Sequence, residues 1–231
     1  MSLRALIFDL DDTLIDTHGQ LVYQAHWQAC LAMHAAGLQI SPAELMQTRQ
    51  NLLLQHPRAE INALLAAHYQ CQSQAVIQAG FETYFNPHLT ELDLFPGTRA
   101  LLENWAQNYA LFLVTSGYEK TQKRKVELLK IAPFFQGIHF VDIKDKNGKY
   151  KAFYELQTSL GGENHEFAVI GDRINNEIVA GNQLGMTTVW IRHGECAHIL
   201  PQNKLEEPDF TLNHVRELPE ILAQPLSKQS H

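Results

Sequence analysis

Cysteine is scarce in this sequence. Cys30, Cys71 and Cys196 are far apart in the 231 residues and form no CxxC pair, so the chain offers no cysteine framework for a metal. An odd, sparse count of this kind is typical of proteins in a reducing compartment. The twelve histidines form no HxxxH or HExxH pair, and most of them are therefore interpreted as surface or packing residues.

Long apolar runs are also missing. No stretch approaches the roughly 20 residues that a membrane-spanning helix needs. The first apolar run stops at Asp9, which makes it too short for the core of a signal peptide. From these two absences we expect a cytoplasmic protein without a membrane partner.

Basic residues are in deficit. The sequence has 18 Lys and Arg against 25 Asp and Glu, a net charge of −7, and this balance argues against a nucleic-acid partner. Apolar residues make up 45% and charged residues 19%, which are ordinary values for a globular protein. A chain of this length is expected to hold one large domain or two of unequal size.

The sequence does contain a regular alternation of strand and helix patterns. Short apolar runs typical of buried parallel strands occupy Leu3–Phe8, Ala110–Val114, Ile138–Val141, Phe167–Ile170, Thr187–Ile191 and Asp209–Leu212. Apolar residues at helical spacing occupy Thr98–Gln107, Lys120–Leu129, Ala152–Leu160, Ile174–Leu184 and Val215–Leu222. This alternation predicts an α/β fold, a doubly wound, Rossmann-like parallel sheet with helices on both faces.

One long segment interrupts the alternation. Between about Thr17 and Leu92 the sequence is rich in Gln, Ala and His, with apolar residues at helical spacing and no convincing strand. This segment is predicted to be an inserted all-α domain of about 75 residues, a normal domain size. The predicted division is a sheet domain of residues 1–16 and 93–231 and a helical insertion of residues 17–92.

Three predicted strands end in groups that bear chemistry. The first is followed by Asp9-Leu10-Asp11-Asp12-Thr13, the second by Thr115-Ser116-Gly117, and the fourth by Gly171-Asp172 with Glu177 five residues later. Ligands of an open parallel sheet bind beyond the carboxyl ends of its strands, so we expect four carboxylates and a hydroxyl in one cleft. Such charges repel one another unless a cation is present, and a donor set of oxygens alone favours Mg²⁺ over zinc.

These residue types suggest a division of roles. Of Asp9 and Asp11, one can act as a nucleophile while the other donates and accepts a proton. Asp12 is interpreted as a local cap rather than a ligand. The Thr115 hydroxyl, together with the amides of Ser116 and Gly117, can hold an anion.

A lysine is needed to neutralise the nucleophile and the phosphoryl oxygens of such a site. Lys149 and Lys151 both precede the predicted helix at Phe153 and both are candidates, with the spacing favouring Lys149. A second basic run consists of Lys120, Lys123, Arg124 and Lys125. This run is interpreted as a solvated helix face rather than as a device for steering anionic substrates.

The motifs resemble those of the haloacid dehalogenase (HAD) superfamily of phosphohydrolases. The family hallmarks are hhhhDxDxT, an apolar strand ending in Thr or Ser, a lysine before a later helix, and GDxxxxD/E. Here the hallmarks are matched by Leu6–Thr13, Leu113–Gly117, Lys149 and Gly171–Glu177, in the family's order. The similarity covers nearly all of the chain outside about Thr17–Leu92, and that gap is where the family inserts a helical type I cap.

The resemblance implies a role for each motif residue. Asp9 would attack phosphorus and form an aspartyl-phosphate, while Asp11 would protonate the leaving oxygen and later activate water. Mg²⁺ would be held by Asp9, the backbone carbonyl of Asp11, and Asp172, with Glu177 as an outer-shell acid. The phosphoryl group would be bound by Thr115, Ser116 and Lys149, or by Lys151 in place of Lys149.

The carboxylate at position 11 separates branches of the family. Dehalogenases lack it because a halide needs no proton, so the presence of Asp11 favours phosphoryl transfer. We therefore expect a Mg²⁺-dependent phosphatase acting on a small phosphorylated metabolite. A phosphomutase and a non-catalytic, phosphoryl-binding regulatory module are the alternatives. No motif names the substrate, and none sets an oligomeric state.

Overall fold

Residues 3–223 are described by a computed structural model. The chain divides into a sheet unit, which joins the residues up to His18 with those from Glu91 onward, and a helical unit, Gly19–Thr90. The predicted insertion, residues 17–92, differs from the helical unit by two residues at each end. Among the residues described, no helix is long and apolar enough to cross a membrane.

The described part of the sheet unit contains six parallel strands. They are β1 (Ala5–Phe8), β2 (Ala110–Gly117), β3 (Gly137–Asp142), β4 (Phe167–Gly171), β5 (Thr187–Ile191) and β6 (Phe210–Leu212). Their spatial order is β3-β2-β1-β4-β5-β6, so β1 lies between β2 and β4. Every residue of β1, β4 and β5 is buried, which explains their continuous apolar sequences. The predicted Rossmann-like α/β fold is confirmed.

The helices are distributed between the two units. The helical unit contains α1 (Tyr23–Ala35), α2 (Pro42–Leu53), α3 (Ile61–His68) and α4 (Gln74–Phe85). The sheet unit contains α5 (Thr98–Asn108), α6 (Glu119–Leu129), α7 (Gly148–Leu160), α8 (Val179–Gln183) and α9 (Leu218–Leu222). In the sheet unit, α7 packs its buried side chains into a core shared with β1, β2, β3 and β4.

The helical unit has its own apolar core. All four of its helices contribute to this core, which includes Cys30, Met33, Leu45, Met46, Leu65, Ala66 and Val76. The start of α2 follows from local chemistry, because Ser41 Oγ accepts a hydrogen bond from the Glu44 N–H at 3.3 Å and Pro42 occupies the first turn. Arg49 is also fully buried here, and its Nε donates to His26 Nδ1 at 2.8 Å.

Several predicted elements differ in detail from the observed ones. α7 begins at Gly148 rather than at Ala152, so Lys149 and Lys151 lie in its first turn and not before the helix as expected. β2 continues through Gly117, where it pairs with Asp142 of β3, so Thr115, Ser116 and Gly117 are strand residues rather than a turn after the strand. The helix predicted from Ile174 begins with a π-helical turn, Ile174–Ile178, before α8. The differences in β2 and at Ile174 lie at the carboxyl ends of strands, where the proposed site residues are concentrated.

Candidate active site

The proposed nucleophile lies at the end of the central strand. Asp9 follows β1 directly, and its N–H donates to the Ile170 carbonyl of β4 at 2.9 Å. The carboxyl ends of β1, β2 and β4 are adjacent because β1 is flanked by the other two strands. From β1 the sheet continues through β2 to β3 on one side and through β4 and β5 to β6 on the other. Open α/β sheets form their ligand crevice where the strand order reverses in this way. Asp9 itself is buried, with 7% of its surface exposed.

Lys149 joins this strand end from the first turn of α7. Its Nζ lies 2.6 Å from Asp9 Oδ1 and 3.0 Å from Glu177 Oε1, and it also donates to the Val114 carbonyl of β2. The preceding residue has no room for a side chain, since a Cβ at Gly148 would lie 2.1 Å from Val141 Cγ1. This close approach of α7 to β3 allows a fully buried ammonium to reach the carboxylates.

Asp172 and Glu177 come from the end of β4 and the turn that follows it. The Trp190 indole N–H donates to the Asp172 carbonyl at 2.8 Å and fixes the backbone there. Glu177 folds back over the strand end, where its Oε2 accepts from the Arg173 N–H at 3.1 Å. A Cβ at Gly171 would lie 2.4 Å from Glu177 Cγ, so the glycine of the Gly171-Asp172 motif is required for this packing.

Burial is the largest cause of the pKa shifts of these groups, and the charges of their neighbours modify it. Burial raises the pKa of Asp9 to about 7; Lys149 opposes the shift and Glu177 adds to it. Burial, followed by repulsion from Glu177 and Asp9, raises the pKa of Asp172 well above its usual range. Burial alone would lower the pKa of Lys149, but the carboxylates of Asp9 and Glu177 hold it above its ordinary value.

The charge balance of this cluster fits a divalent cation. Asp9, Asp172 and Glu177 are three buried carboxylates, and Lys149 is the buried ammonium in contact with two of them. The guanidinium of Arg173 is half exposed, and its Nε lies 3.9 Å from Asp172 Oδ2. A group of oxygen donors with excess negative charge is the environment that a hard cation such as Mg²⁺ prefers.

Asp11 is surrounded by different partners from those of Asp9. Its Oδ1 lies 2.6 Å from both Lys125 Nζ and Thr17 Oγ1, and its Oδ2 accepts from Gln122 Nε2 at 2.8 Å. Burial would raise the pKa of Asp11, but Lys125 and the hydrogen bonds from Lys125, Thr17 and Gln122 hold it below its ordinary value. Asp9 and Asp11 are thus held by separate lysines.

Thr115 is fully buried in β2 and lies beside Asp11 and its hydrogen-bond partners. Its Oγ1 accepts a hydrogen bond from Gln122 Nε2, the same nitrogen that donates to Asp11. Ser116 is the next residue of β2 and is paired with Val141 of β3. The sheet thus places Thr115 and Ser116 on the strand adjacent to Asp9, as their position in the sequence predicts.

The sequence that carries these residues is matched by a family model. The model describes haloacid dehalogenase-like hydrolases, and it matches residues 6–191 of the 231 residues. The chain belongs to the HAD-like hydrolase family.

Curated relatives of this HAD hydrolase are phosphatases by name. Glyceraldehyde 3-phosphate phosphatase of Methanopyrus kandleri is 30% identical over 233 residues, which covers 96% of this chain and 98% of the relative. Human N-acylneuraminate-9-phosphatase is 25% identical over 235 residues, covering 95% of this chain and 93% of the relative. Together with the family match, these relatives identify the chain as a phosphoric monoester hydrolase.

A solved structure supports the fold. YfnB of Bacillus subtilis, described as a HAD-hydrolase and crystallised bound to magnesium, aligns with a TM-score of 0.67 at 21% identity. The alignment covers 97% of this chain and 100% of that structure. At this level of identity the similarity concerns the fold alone.

The two candidate lysines of this HAD hydrolase occupy different environments. Lys149 lies within the carboxylate cluster, whereas Lys151 is exposed and pairs with Asp145 at 2.8 Å.

Asp12 matches its interpretation as a local cap, because its Oδ1 accepts from the His18 N–H at 3.1 Å. Its carboxylate also lies within 4.8 Å of ligand atoms of Asp16 and His193.

The interpretation of Lys125 as part of a solvated face is wrong. Lys120, Lys123 and Arg124 are exposed, but Lys125 is 6% exposed and contacts Asp11. Gln122, which also contacts Asp11, was not among the residues predicted from the sequence. A spacing signal was available, since Gln122, Lys125 and Leu129 fall at i, i+3 and i+7, the positions of a buried helix face.

Proposed function

We propose that this chain is a Mg²⁺-dependent phosphatase that hydrolyses a small phosphorylated metabolite through an aspartyl-phosphate. The observation that carries the proposal is the environment of Asp9, a buried carboxylate at the end of the central strand in contact with Lys149. A second carboxylate, Asp11, lies two residues away and is held by separate partners. One acid is thereby available for attack on phosphorus and the other for proton transfer.

The first half-reaction forms a bond between an Asp9 carboxylate oxygen and phosphorus. The bond from phosphorus to the leaving oxygen breaks, and its electron pair stays on that oxygen. The oxygen takes a proton from the protonated form of Asp11 and leaves as an alcohol. This form is the minor one in the free chain, because Lys125 and the hydrogen bonds from Thr17 and Gln122 hold the pKa of Asp11 below its ordinary value. Lys149 and Thr115 bind the phosphoryl oxygens. Ser116, which follows Thr115 in β2, completes the phosphate site.

The second half-reaction restores both acids. Asp11, now a carboxylate, accepts a proton from water while the water oxygen attacks phosphorus. The bond between Asp9 and phosphorus breaks, and inorganic phosphate leaves. Asp11 ends the cycle protonated, so protons and electrons balance over the two steps.

Asp9, Asp172 and the Asp11 carbonyl would hold the cation, and Glu177 would act from the outer shell. A bound Mg²⁺ supplies charge neutralisation between the nucleophile and the phosphoryl oxygens. Glu177 contributes from the chain's side by keeping Lys149 charged and directed at Asp9, since its carboxylate lies 3.0 Å from Nζ.

The relatives narrow the substrate class to be tested. Glyceraldehyde 3-phosphate and N-acylneuraminate 9-phosphate are named for two of them. Both compounds carry phosphate on a primary alcohol, and an alkoxide is a poor leaving group that requires a proton. We propose a substrate of the same kind, a sugar-like phosphomonoester of a primary alcohol.

The experiment measures release of inorganic phosphate by the purified chain with Mg²⁺ from a panel that includes these two esters. The wild-type chain is expected to turn over at least one of them, and Asp9→Asn is expected to lose on the order of 10⁶-fold in kcat, as when other covalent enzymes lose their nucleophile. Asp145→Asn, which changes an exposed carboxylate, is the control and should keep wild-type activity. Retained activity in Asp9→Asn would contradict the nucleophile, and phosphate transfer to a second hydroxyl without release would establish a phosphomutase instead.

A further inference from the structure

The contacts of Asp11 point to two residues that no motif contains. Lys125 and Gln122 both extend from α6 to the Asp11 carboxylate, and both are almost fully buried. We propose that Lys125 and Gln122 are positioning residues that orient the acid–base carboxyl group of Asp11 toward the leaving oxygen. This inference rests on the proposed phosphatase function and deepens it.

The two donors engage opposite oxygens of one carboxyl group. Lys125 Nζ contacts Oδ1 at 2.6 Å, and Gln122 Nε2 donates to Oδ2 at 2.8 Å. Thr17 adds a further hydrogen bond to Oδ1 at 2.6 Å. With both oxygens held by fixed donors, rotation of the carboxyl group about its Cβ–Cγ bond is restricted. A group that transfers a proton needs such a defined orientation.

One helix supplies both donors, and its placement follows from the strand before it. Gln122 and Lys125 are one turn apart on the buried face of α6, which begins directly after β2. A Cβ at Gly117 would lie 3.0 Å from Gln122 Cγ, so the glycine that ends β2 leaves room for this side chain. The register of α6 against β2 therefore directs both side chains at Asp11.

Gln122 also connects Asp11 to the proposed phosphate site. Its Nε2 donates to Thr115 Oγ1 as well as to Asp11. Since Thr115 Oγ1 is then an acceptor toward Gln122, its own hydroxyl hydrogen remains to be donated elsewhere, as binding of a phosphoryl oxygen would require. A single amide thus orients the acid–base group and the hydroxyl of the phosphate site together.

Stability alone does not explain a lysine at position 125. A buried ion pair contributes little net stability compared with apolar side chains of the same size. Lys125 nevertheless extends into the interior and ends on the one carboxylate that the proposed reaction uses for proton transfer. Its charge and its donor geometry are both directed at that group.

The test compares two leaving groups. The assay measures cleavage of two substrates by each variant. One is an alkyl phosphate that the wild-type chain accepts, and the other is dinitrophenyl phosphate, whose leaving group needs no proton. In Lys125→Met, kcat/KM, which reports the first half-reaction, is expected to fall about 10²-fold for the alkyl ester, because Asp11 remains but is no longer held in a defined orientation. For dinitrophenyl phosphate kcat/KM should change less than threefold. A burst of dinitrophenolate should also appear, because water activation by Asp11 is slowed in the second half-reaction.

Matched variants separate positioning from folding. Lys123→Met removes an exposed lysine of the same helix and should leave both substrates unaffected, while Lys125→Arg should recover part of the loss on the alkyl ester. Gln122→Met applies the same test without removing a charge. Equal losses on the two substrates, with no burst, would overturn the inference while leaving the phosphatase function intact. If the wild-type chain released no phosphate, or released it as fast as Asp9→Asn does, the proposed function would be overturned, and the inference with it.

Discussion

At the scale of single residues, two lysines separated by one position have opposite surroundings. Lys149 is buried between Asp9 and Glu177, whereas Lys151 is exposed and pairs with Asp145. The difference follows from the helix, since residues two positions apart lie on different faces of α7. Breaking a buried ion pair lowers the free energy of unfolding far more than breaking a surface pair, so the two positions can be distinguished by mutation.

Lys149→Met is expected to lower the free energy of unfolding by about 3–5 kcal/mol, because it leaves two buried carboxylates without their ammonium. It should also reduce kcat on the order of 10²–10³-fold through loss of a phosphoryl ligand. Lys151→Met should change the free energy of unfolding by less than about 0.5 kcal/mol. Urea unfolding and phosphate release measure the two effects. A larger loss of activity in Lys151→Met would reverse the assignment of the phosphate lysine.

At the scale of elements, the start of α7 is positioned by a contact that excludes a side chain. The Cα of Gly148 approaches Val141 of β3 so closely that a Cβ would overlap Val141 Cγ1 at 2.1 Å. Lys149 is the next residue, so the distance between helix and strand sets where its ammonium lies. Gly161 ends the same helix with φ of 64°, and a Cβ there would meet open space.

Gly148→Ala and Gly161→Ala are expected to separate stability from activity. Gly148→Ala should lower the free energy of unfolding by about 1–3 kcal/mol through overpacking. It should also reduce kcat about 10²-fold, because a displaced helix start moves Lys149. Gly161→Ala should cost about 1–3 kcal/mol through backbone strain, since only glycine adopts this conformation readily. Activity per folded molecule should remain at the wild-type level in Gly161→Ala. If both variants kept full activity, the placement of α7 would not control Lys149.

At the scale of the whole molecule, the sheet order brings acidic groups together at the carboxyl ends of neighbouring strands. β1 and β4 are neighbours, so Asp9 and Asp172 come from distant parts of the sequence to adjacent strand ends. Burial and repulsion from Glu177 and Asp9 raise the pKa of Asp172 well above its usual range, so its carboxylate form is unfavourable in the folded chain without a further counter-charge. A cation that binds only the folded chain should therefore stabilise the molecule as a whole.

Addition of Mg²⁺ is expected to raise the free energy of unfolding, by about 2.7 kcal/mol at a free concentration a hundred times the dissociation constant. Asp172→Asn should lose most of this increase because it removes a proposed ligand. Asp145→Asn, at an exposed carboxylate, should retain it. Thermal unfolding with Mg²⁺ and with a chelator measures the difference. An equal increase in all three chains would show that the cation acts away from Asp172.

Much of this molecule could be predicted from short-range patterns. Apolar runs of four or five residues correspond to strands because both faces of a parallel sheet are covered, and the motif acids follow those runs directly. The insertion was recognisable because helical spacing replaced the strand pattern over a long segment. These features depend on neighbouring residues in the chain, which is why a single sequence was sufficient to predict them.

Other features depended on how the elements pack. Lys125 follows three exposed basic residues in the run Lys120 to Lys125, yet it is buried against Asp11 because α6 lies in one particular register on β2. The different environments of Lys149 and Lys151 likewise depend on the close approach of Gly148 to Val141. Composition and spacing show which side chains are able to do chemistry. Which of them meet is set by contacts between residues more than a hundred positions apart, as between Asp9 and Lys149, and no local pattern encodes those distances.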